Sequence, residues 1–233
     1  MKKNIKISSI CSLFALLLIA CHKSDTVTSP ASINIINAMA DANPIIPSLG
    51  GTVQYYNTAQ QIPYGFAQLY TQSSGKSSIS ISQTSDTSMS VFRGTFELAP
   101  GNIYSLFLIG DTTSPDTLFI RDNIPQYGDS AVGIRFVNLL QGKSSVSINL
   151  QNNPISQTEF DNLGYKQITP FKKYPVTIDI PGSYTFEIHD LASGELLSTF
   201  SWYYMLYKNN TIFISGSIDP SGIPLVISQM NNY

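Results

Sequence analysis

The segment ASINIIN, residues 31–37, recurs about one hundred residues later as VGIRFVN, residues 132–138. Both segments have the same length, the same apolar alternation and the same closing Asn, a period-two pattern that predicts a β-strand. Four further segments recur in the same order, namely 52–55 with 145–148, 65–69 with 164–168, 105–110 with 211–216, and 118–120 with 225–227. The repeat distance is too long for a solenoid and suits two copies of one sandwich domain.

Short β-branched and aromatic runs separated by Pro and Gly fill the rest of the chain, and no long apolar period of 3.6 is present. We therefore predict an all-β fold of two tandem antiparallel β-sandwich domains. The first copy is predicted over residues 31–125 and the second over residues 131–233, with a short linker between them. Pro100-Gly101 and Pro181-Gly182 each follow an apolar strand and are predicted to form hairpin turns.

Residues 1–20 have the parts of a secretory signal peptide, which are a basic start, a short apolar run and a small residue at the cut. The apolar run is too short to span a bilayer. It ends in Leu18-Ile19-Ala20-Cys21, which resembles the lipobox of bacterial lipoproteins. The resemblance implies cleavage before Cys21 and attachment of a diacylglyceryl group to its sulfur. An ordinary signal peptide or an uncleaved anchor is the alternative.

Residues 21–30 are then a lipidated Cys followed by a Ser/Thr-rich tether, and the lipid makes the membrane a partner. His22 follows the Cys in place of the Asp that resembles an inner-membrane retention signal, so we predict an outer-membrane location in the cell envelope. The side of that membrane stays open. The chain has two cysteines, and Cys11 leaves with the signal peptide, so the mature chain is predicted to have no disulfide.

The composition narrows the class of partner. Charged residues make up only 12% of the 233 residues, and the formal net charge is −2. Since no basic face is available for phosphates, nucleic acid is excluded as a partner. Ser, Thr, Asn, Gln and Tyr are abundant, so we expect neutral polar side chains on the solvent-facing sides of the sheets.

With the two copies aligned, the chain resembles the domain of unknown function 4397 family. The resemblance is carried by the opening strands that end in Asn37 and Asn138, by Tyr64-Gly65, by the Gly75 turn, and by residues 69–71, 79–81, 104–111 and 118–120. The second copy departs from it, because Gly216-Ser217 replaces the Gly-Asp of the first copy. The resemblance implies exported, often lipid-anchored bacterial proteins with immunoglobulin-like sandwiches, and it implies no activity.

The chain offers little for catalysis, so we predict no enzyme, no catalytic residues, no metal site and no cofactor. General acid–base chemistry favours His or paired acids in a shielded pocket. Beyond the tether there is one histidine, His189, which alternation places at the exposed end of a strand beside Glu187. Three acids, Asp111, Asp116 and Asp122, bracket a polar loop without the spacing that converges oxygens on calcium, and they are predicted to be ordinary turn acids.

One strand breaks the symmetry of the copies. In residues 91–98, Phe92, Phe96 and Leu98 share the predicted core face. In residues 196–207, the solvent-facing side continues as Tyr203, Met205 and Tyr207. Large side chains on a predicted solvent-facing side require a structural explanation. Three explanations are open. The side chains pack against the first copy or a loop, they form an exposed platform for a sugar ring or a partner, or the strand is misregistered. Trp202 is on the core face and is expected to be buried.

Four Asp-Ser/Thr-apolar or Asp-Thr-Thr segments resemble the acceptor sites of bacterial O-glycosylation systems. Their candidate acceptor residues are Thr26, Thr112, Thr117 and Ser130. Thr26 and Ser130 are in the predicted tether and linker, where an enzyme has access.

Taken together, these features predict a membrane-anchored envelope lipoprotein with a binding or scaffolding role toward a glycan or an envelope protein. The first alternative is a structural subunit of a surface fibre or an adhesin, assembled through a donated edge strand. The second alternative is a hydrolase, which requires grouped acids around a closed pocket.

Overall fold

The computed structural model describes residues 29–50, 57–127, 130–142, 144–154, 157–176, 182–203, 208–219 and 222–232. Cys21, Thr26, Pro181, Met205, Tyr207 and residues 52–55, to which the sequence analysis assigns roles, lie outside these ranges. The described residues form fifteen β-strands and no α-helix. Among them, no helix has the length and apolar character needed to cross a bilayer.

The first sandwich contains strands β1 (Ala31–Asn37), β2 (Ile45–Leu49), β3 (Ala67–Gln72), β4 (Gly75–Gln83), β5 (Asp86–Leu98), β6 (Ile103–Gly110) and β7 (Pro115–Arg121). One of its sheets has the strand order β3-β1-β6-β7, and the other has the order β2-β4-β5. Its core lies between these two sheets and is formed mainly by buried isoleucines and leucines, with Phe92, Phe96 and Phe119 packed at its margin.

The second sandwich contains strands β8 (Ala131–Asn138), β9 (Val146–Leu150), β10 (Phe160–Leu163), β11 (Lys172–Pro175), β12 (Ser183–Asp190), β13 (Leu196–Tyr203), β14 (Asn209–Ser215) and β15 (Val226–Asn232). Its sheets have the orders β11-β8-β14-β15 and β10-β9-β12-β13. Its core is more aromatic and includes Phe136, Phe186 and Trp202.

The two sandwiches have the same topology. β1 lies parallel to β6 and antiparallel to β3, and β8 lies parallel to β14 and antiparallel to β11. The β2-β4-β5 sheet likewise matches β9-β12-β13. Where β10 pairs with β9, the described residues of the first sandwich contain an isolated bridge between Ile45 and Ile62. The prediction of an all-β fold with tandem sandwiches is confirmed, with one parallel strand pair in each sandwich.

The strand-closing asparagines explain why the recurring segments end alike. Asn37 donates a side-chain hydrogen bond to the Ile62 carbonyl at 3.1 Å and accepts one from the Met39 N–H at 3.2 Å. Asn138 donates to the Leu163 carbonyl at 2.8 Å and accepts from the Leu140 N–H at 3.0 Å. Each Asn side chain is fully buried. It therefore links the end of its own strand to the backbone at Ile62 or Leu163, which pairs with the facing sheet of the same sandwich.

A third apolar cluster joins the two sandwiches. The sheets β3-β1-β6-β7 and β11-β8-β14-β15, here called the inner sheets, pack against each other through Ile36, Ala38, Phe107, Ile109, Val137, Leu139, Phe213 and Met230. Phe107 and Phe213 occupy equivalent positions in β6 and β14, and their ring centroids are 5.9 Å apart in an edge-on arrangement. The sandwiches therefore form a four-layer stack, in which the inner sheets are covered on both faces.

The structure refines three details of the sequence interpretation. Gly101 has the expected positive φ of 72°, but it connects β5 to β6, which lie in different sheets, so Pro100-Gly101 is no hairpin turn. β2 occupies the place in the β2-β4-β5 sheet that β9 occupies beside β12 and β13, whereas the predicted counterpart, residues 52–55, lies outside the described residues. The counterpart of Gly65 is Lys166 and not Gly164, because Gly65 and Lys166 both have positive φ and donate their N–H to the carbonyl of the Asn that closes the first strand of their sandwich.

Candidate functional site

The strand that breaks the symmetry of the copies is β13, at the edge of the outer sheet β10-β9-β12-β13. Its side chains alternate as the sequence predicts. The indole of Trp202 is fully buried, and Phe200 packs at the margin of the same core. Thr199, Ser201 and Tyr203 point the other way and are exposed. The alternation therefore holds from Thr199 to Tyr203. It breaks nearer the start of β13, where the β12–β13 register shifts, Leu196 is exposed and Leu197 packs on the core.

Tyr203 is the aromatic residue that this arrangement leaves in solvent. Its side chain is 70% exposed. Packing against the first sandwich or against a loop would cover it, so that explanation fails for Tyr203. The other members of the predicted platform, Met205 and Tyr207, lie outside the described residues.

The surface around Tyr203 is lined with hydroxyl groups. On β12, Ser183 is paired with Tyr203 and Thr185 is paired with Ser201. The Thr185 and Ser201 hydroxyl oxygens are 3.1 Å apart and share a hydrogen bond. We call this surface the polar face and define it as Ser147, Ser183, Thr185, Glu187, His189, Thr199, Ser201 and Tyr203.

The far end of the polar face contains its ionisable groups. His189 Nε2 lies 3.4 Å from Glu187 Oε2, and Nδ1 lies 3.3 Å from the Gly194 carbonyl oxygen. The neighbouring Asp190 accepts hydrogen bonds from the Ser193 hydroxyl and N–H, which lower the pKa of its carboxyl group. His189 is therefore a strand-end residue beside a structured turn. The geometry suits binding, with a ring for stacking and hydroxyls for hydrogen bonds.

The three acids predicted to be turn residues have different roles. Asp111 caps its turn through the Thr113 hydroxyl and the N–H groups of Thr113 and Ser114, and these bonds lower its pKa. Asp116 forms an ion pair with Lys166 of the second sandwich at 2.5 Å. Asp122 was wrongly predicted, since it is buried. Nowhere in the described ranges do three or more His, Cys, Asp or Glu side chains group as metal ligands.

Sequence reasoning missed the buried polar network at Asp122. Arg135 donates from Nη2 to Asp122 Oδ1 at 2.5 Å and from Nε to the Thr211 hydroxyl at 2.8 Å. Ser105 donates its hydroxyl proton to Asp122 Oδ2 at 2.7 Å. The guanidinium also lies over the Phe171 ring, 4.5 Å from its centroid. The available signal was a single charged residue, Arg135, in the otherwise uncharged segment 131–138.

The candidate glycosylation residues lie in different environments. The Thr112 hydroxyl donates to the Asp41 carboxylate at 2.9 Å. Thr117 is a partly buried residue within β7. Ser130 is exposed immediately before β8. Thr26 lies outside the described residues.

The fold and the polar face define a tandem β-sandwich protein with a hydroxyl-rich, aromatic outer sheet. A family model described as a domain of unknown function, DUF4397, matches residues 31–149, which is more than half of the chain. The chain belongs to this family, as the sequence resemblance predicts. No functionally curated protein matches it.

Several solved structures are similar to the chain at low identity. One is a streptococcal virulence factor described by its alpha-glucan binding, with 12% identity over 83% of this chain and 96% of that one, and a TM-score of 0.27. A putative adhesin from Bacteroides ovatus has 6% identity over 88% and 96% of the two chains, with a TM-score of 0.23. The tip fimbrial protein Mfa3 from Porphyromonas gingivalis has 10% identity over 88% and 99%, with a TM-score of 0.25.

Proposed function

We propose that this chain is a lipid-anchored protein of the bacterial cell envelope and that its second sandwich binds a neutral glycan on the polar face. The observation that carries the binding role is the 70% exposure of Tyr203 on a sheet surface lined with hydroxyl groups. An exposed tyrosine offers a large apolar ring with a polar tip, and the apolar face of a pyranose can stack on such a ring.

The chemistry of the polar face favours an uncharged sugar. Among the described residues of the polar face, the neighbours of Tyr203 are Ser183 and Ser201. Their hydroxyl groups both donate and accept hydrogen bonds and so complement sugar hydroxyls. The ionisable side chains Glu187 and His189 lie together at the opposite end. Within the described part of the polar face, a neutral glycan would therefore meet no ionisable side chain of another residue beside the ring.

Anchoring is proposed from the sequence at Cys21. The described chain begins just before β1, where the Pro30 carbonyl accepts a hydrogen bond from the Gly101 N–H at 2.9 Å. Ten residues of extended tether reach at most about 35 Å. The proposal therefore keeps the stack close to the membrane surface. Intact mass of the mature native protein tests the lipid, and protease shaving of intact cells tests which side of the outer membrane the domains occupy.

The same intact mass tests O-glycosylation. Of the described candidates, Ser130 is the exposed residue outside a strand, so we propose it as the first position to examine. A peptide containing Ser130 without added hexose mass would remove it from consideration.

Glycan binding is tested by affinity electrophoresis of the full chain in gels containing a panel of neutral polysaccharides, namely α-glucan, β-glucan, xylan and mannan. We expect at least one polysaccharide to retard the wild type and Tyr203→Ser to lose that retardation. Phe66→Ser is the matched control, because Phe66 is 62% exposed and lies in the first sandwich. Retardation that survives Tyr203→Ser would overturn the proposal. The proposal would also be overturned if no polysaccharide in the panel retarded the wild type.

A further inference from the structure

The outer sheet of the first sandwich has a regular free edge. β5 is its terminal strand, and among the described residues it pairs only with β4. The pairing runs without interruption from Gly75 opposite Leu98 to Ile81 opposite Phe92, and the register shifts beyond that point. The regular edge is therefore the seven-residue segment Phe92–Leu98, whose central residue is Thr95.

The charges on this edge are symmetric about its centre. Arg93 and Glu97 lie two residues before and after Thr95, and all three side chains are exposed on the solvent face. Arg93 lies opposite Ser80 of β4, and Glu97 lies opposite Lys76. Within the described ranges, neither Arg93 nor Glu97 forms an ion pair. The edge therefore presents a cation and an anion at equal distances from one point.

An antiparallel copy of the same strand complements this arrangement. If two copies pair about Thr95, Arg93 of each copy lies directly opposite Glu97 of the other, and opposite charges in such positions stabilise a strand pair. On the inner face, Phe96 of one copy lies opposite Gly94 of the other. Phe92 and Phe96 are only partly buried at this edge, so a second copy would cover more of both rings.

We propose that the chain forms a homodimer by antiparallel pairing of two β5 edges about Thr95. The two outer sheets then join into one continuous sheet of six strands, β2-β4-β5 from each copy. Such a contact uses the same patch on both copies, so it closes at two and does not extend into a fibre. The dimer surface is in the first sandwich and is independent of the polar face of the second.

The first test exchanges the charges in the full chain. An edge contact is smaller than a standard interface, so the wild type is expected to dimerise weakly. We expect sedimentation velocity to detect the dimer at a protein concentration of about 100 µM. The symmetric dimer contains two contacts between positions 93 and 97, and Arg93→Glu or Glu97→Arg places like charges in both. Each variant is therefore expected to weaken self-association by about tenfold or more. Mixing the two single variants, or combining the exchanges in one chain, restores the opposite-charge pairs and is expected to restore dimers. Arg121→Glu is the matched control, because Arg121 is exposed at the end of β7 in a different sheet, and this variant should dimerise as the wild type does.

The second test is a cross-link at the symmetry axis. Directly opposite residues in an antiparallel pair have Cα atoms about 4.5–5.5 Å apart, which is within the range a disulfide spans. With Cys11 and Cys21 replaced by Ser, Thr95→Cys is expected to form a covalent dimer on mild oxidation. Ser88→Cys, an exposed position beyond the regular edge, should form far less. A monomeric wild type at 100 µM, single charge variants that fail to associate when mixed, or equal cross-linking at positions 88 and 95 would each overturn the proposal.

Discussion

Asp122 and Arg135 form a buried ion pair between the two sandwiches, with Oδ1 and Nη2 2.5 Å apart and side chains that are 0% and 5% exposed. Asp122 follows the last strand of the first sandwich, and Arg135 lies in the first strand of the second. Burial alone lowers the pKa of Arg135, and Asp122 opposes that shift. The pair therefore links the two sandwiches at a position from which water is excluded.

Removing one partner of this ion pair should strongly reduce the free energy of unfolding. Asp122→Ala leaves the Arg135 charge buried without its counterion, so we expect a loss of about 3–5 kcal/mol in the free energy of unfolding, measured by urea titration. Asp116→Ala is the matched control, because Asp116 pairs with Lys166 at the surface. That surface pair should contribute less than about 1 kcal/mol. Equal losses in the two variants would contradict the structural role of Asp122.

The closing asparagines should behave alike in the two sandwiches. Asn37→Ala and Asn138→Ala each leave buried backbone groups without partners, so each is expected to cost about 1–3 kcal/mol per group in the free energy of unfolding. Asn153→Ala, at an exposed position, should change stability by less than about 0.5 kcal/mol. A large effect at only one of the two asparagines would argue against their equivalence.

The third apolar cluster should couple the unfolding of the two sandwiches. We expect the wild type to unfold in urea in a single transition, followed in parallel by Trp202 fluorescence and by circular dichroism. Phe213→Ala removes a fully buried ring at the centre of the contact and should cost about 3–5 kcal/mol. In this variant, the unfolding transitions followed by fluorescence and by circular dichroism should no longer coincide. Two transitions in the wild type would contradict the coupling.

Alkaline pH should destabilise the protein through Tyr70. Burial raises the pKa of Tyr70 to about 12, and its buried hydroxyl oxygen has no hydrogen-bond partner among the residues that the structure describes. The folded state therefore retains this proton above pH 10, where the unfolded chain loses it. This contribution to stability is complete below about pH 10 and is lost as the pH rises through about 12. Burial also raises the pKa of Tyr174, with a contribution from the hydrogen bond to Glu159.

Tyr70→Phe isolates that contribution. We expect urea midpoints of the variant to fall less steeply than those of the wild type between pH 10 and 12. At pH 7 the variant should be at least as stable as the wild type, because it removes an unsatisfied buried hydroxyl. Identical pH profiles would show that the environment of Tyr70 does not perturb its ionisation.

Local patterns in the sequence predict much of this fold. Period-two alternation assigns the opposite orientations of Trp202 and Tyr203, and the two closing asparagines reveal the internal repeat. Alternation states which side chains share a face, but it does not state what covers the other face. For that reason the contact of Phe107 with Phe213 was not predicted. The Asp122–Arg135 pair was missed for the same reason, since it depends on how two separate sandwiches pack.

The measurement that tests the central claim most directly is hydroxyl-radical footprinting of the full chain with and without a saturating concentration of a polysaccharide that retards it. Binding on the polar face predicts that Tyr203 is protected from oxidation, while Phe66 and Met89, exposed on the first sandwich, are oxidised equally in both samples. Unchanged oxidation of Tyr203 in the saturated sample would contradict the account.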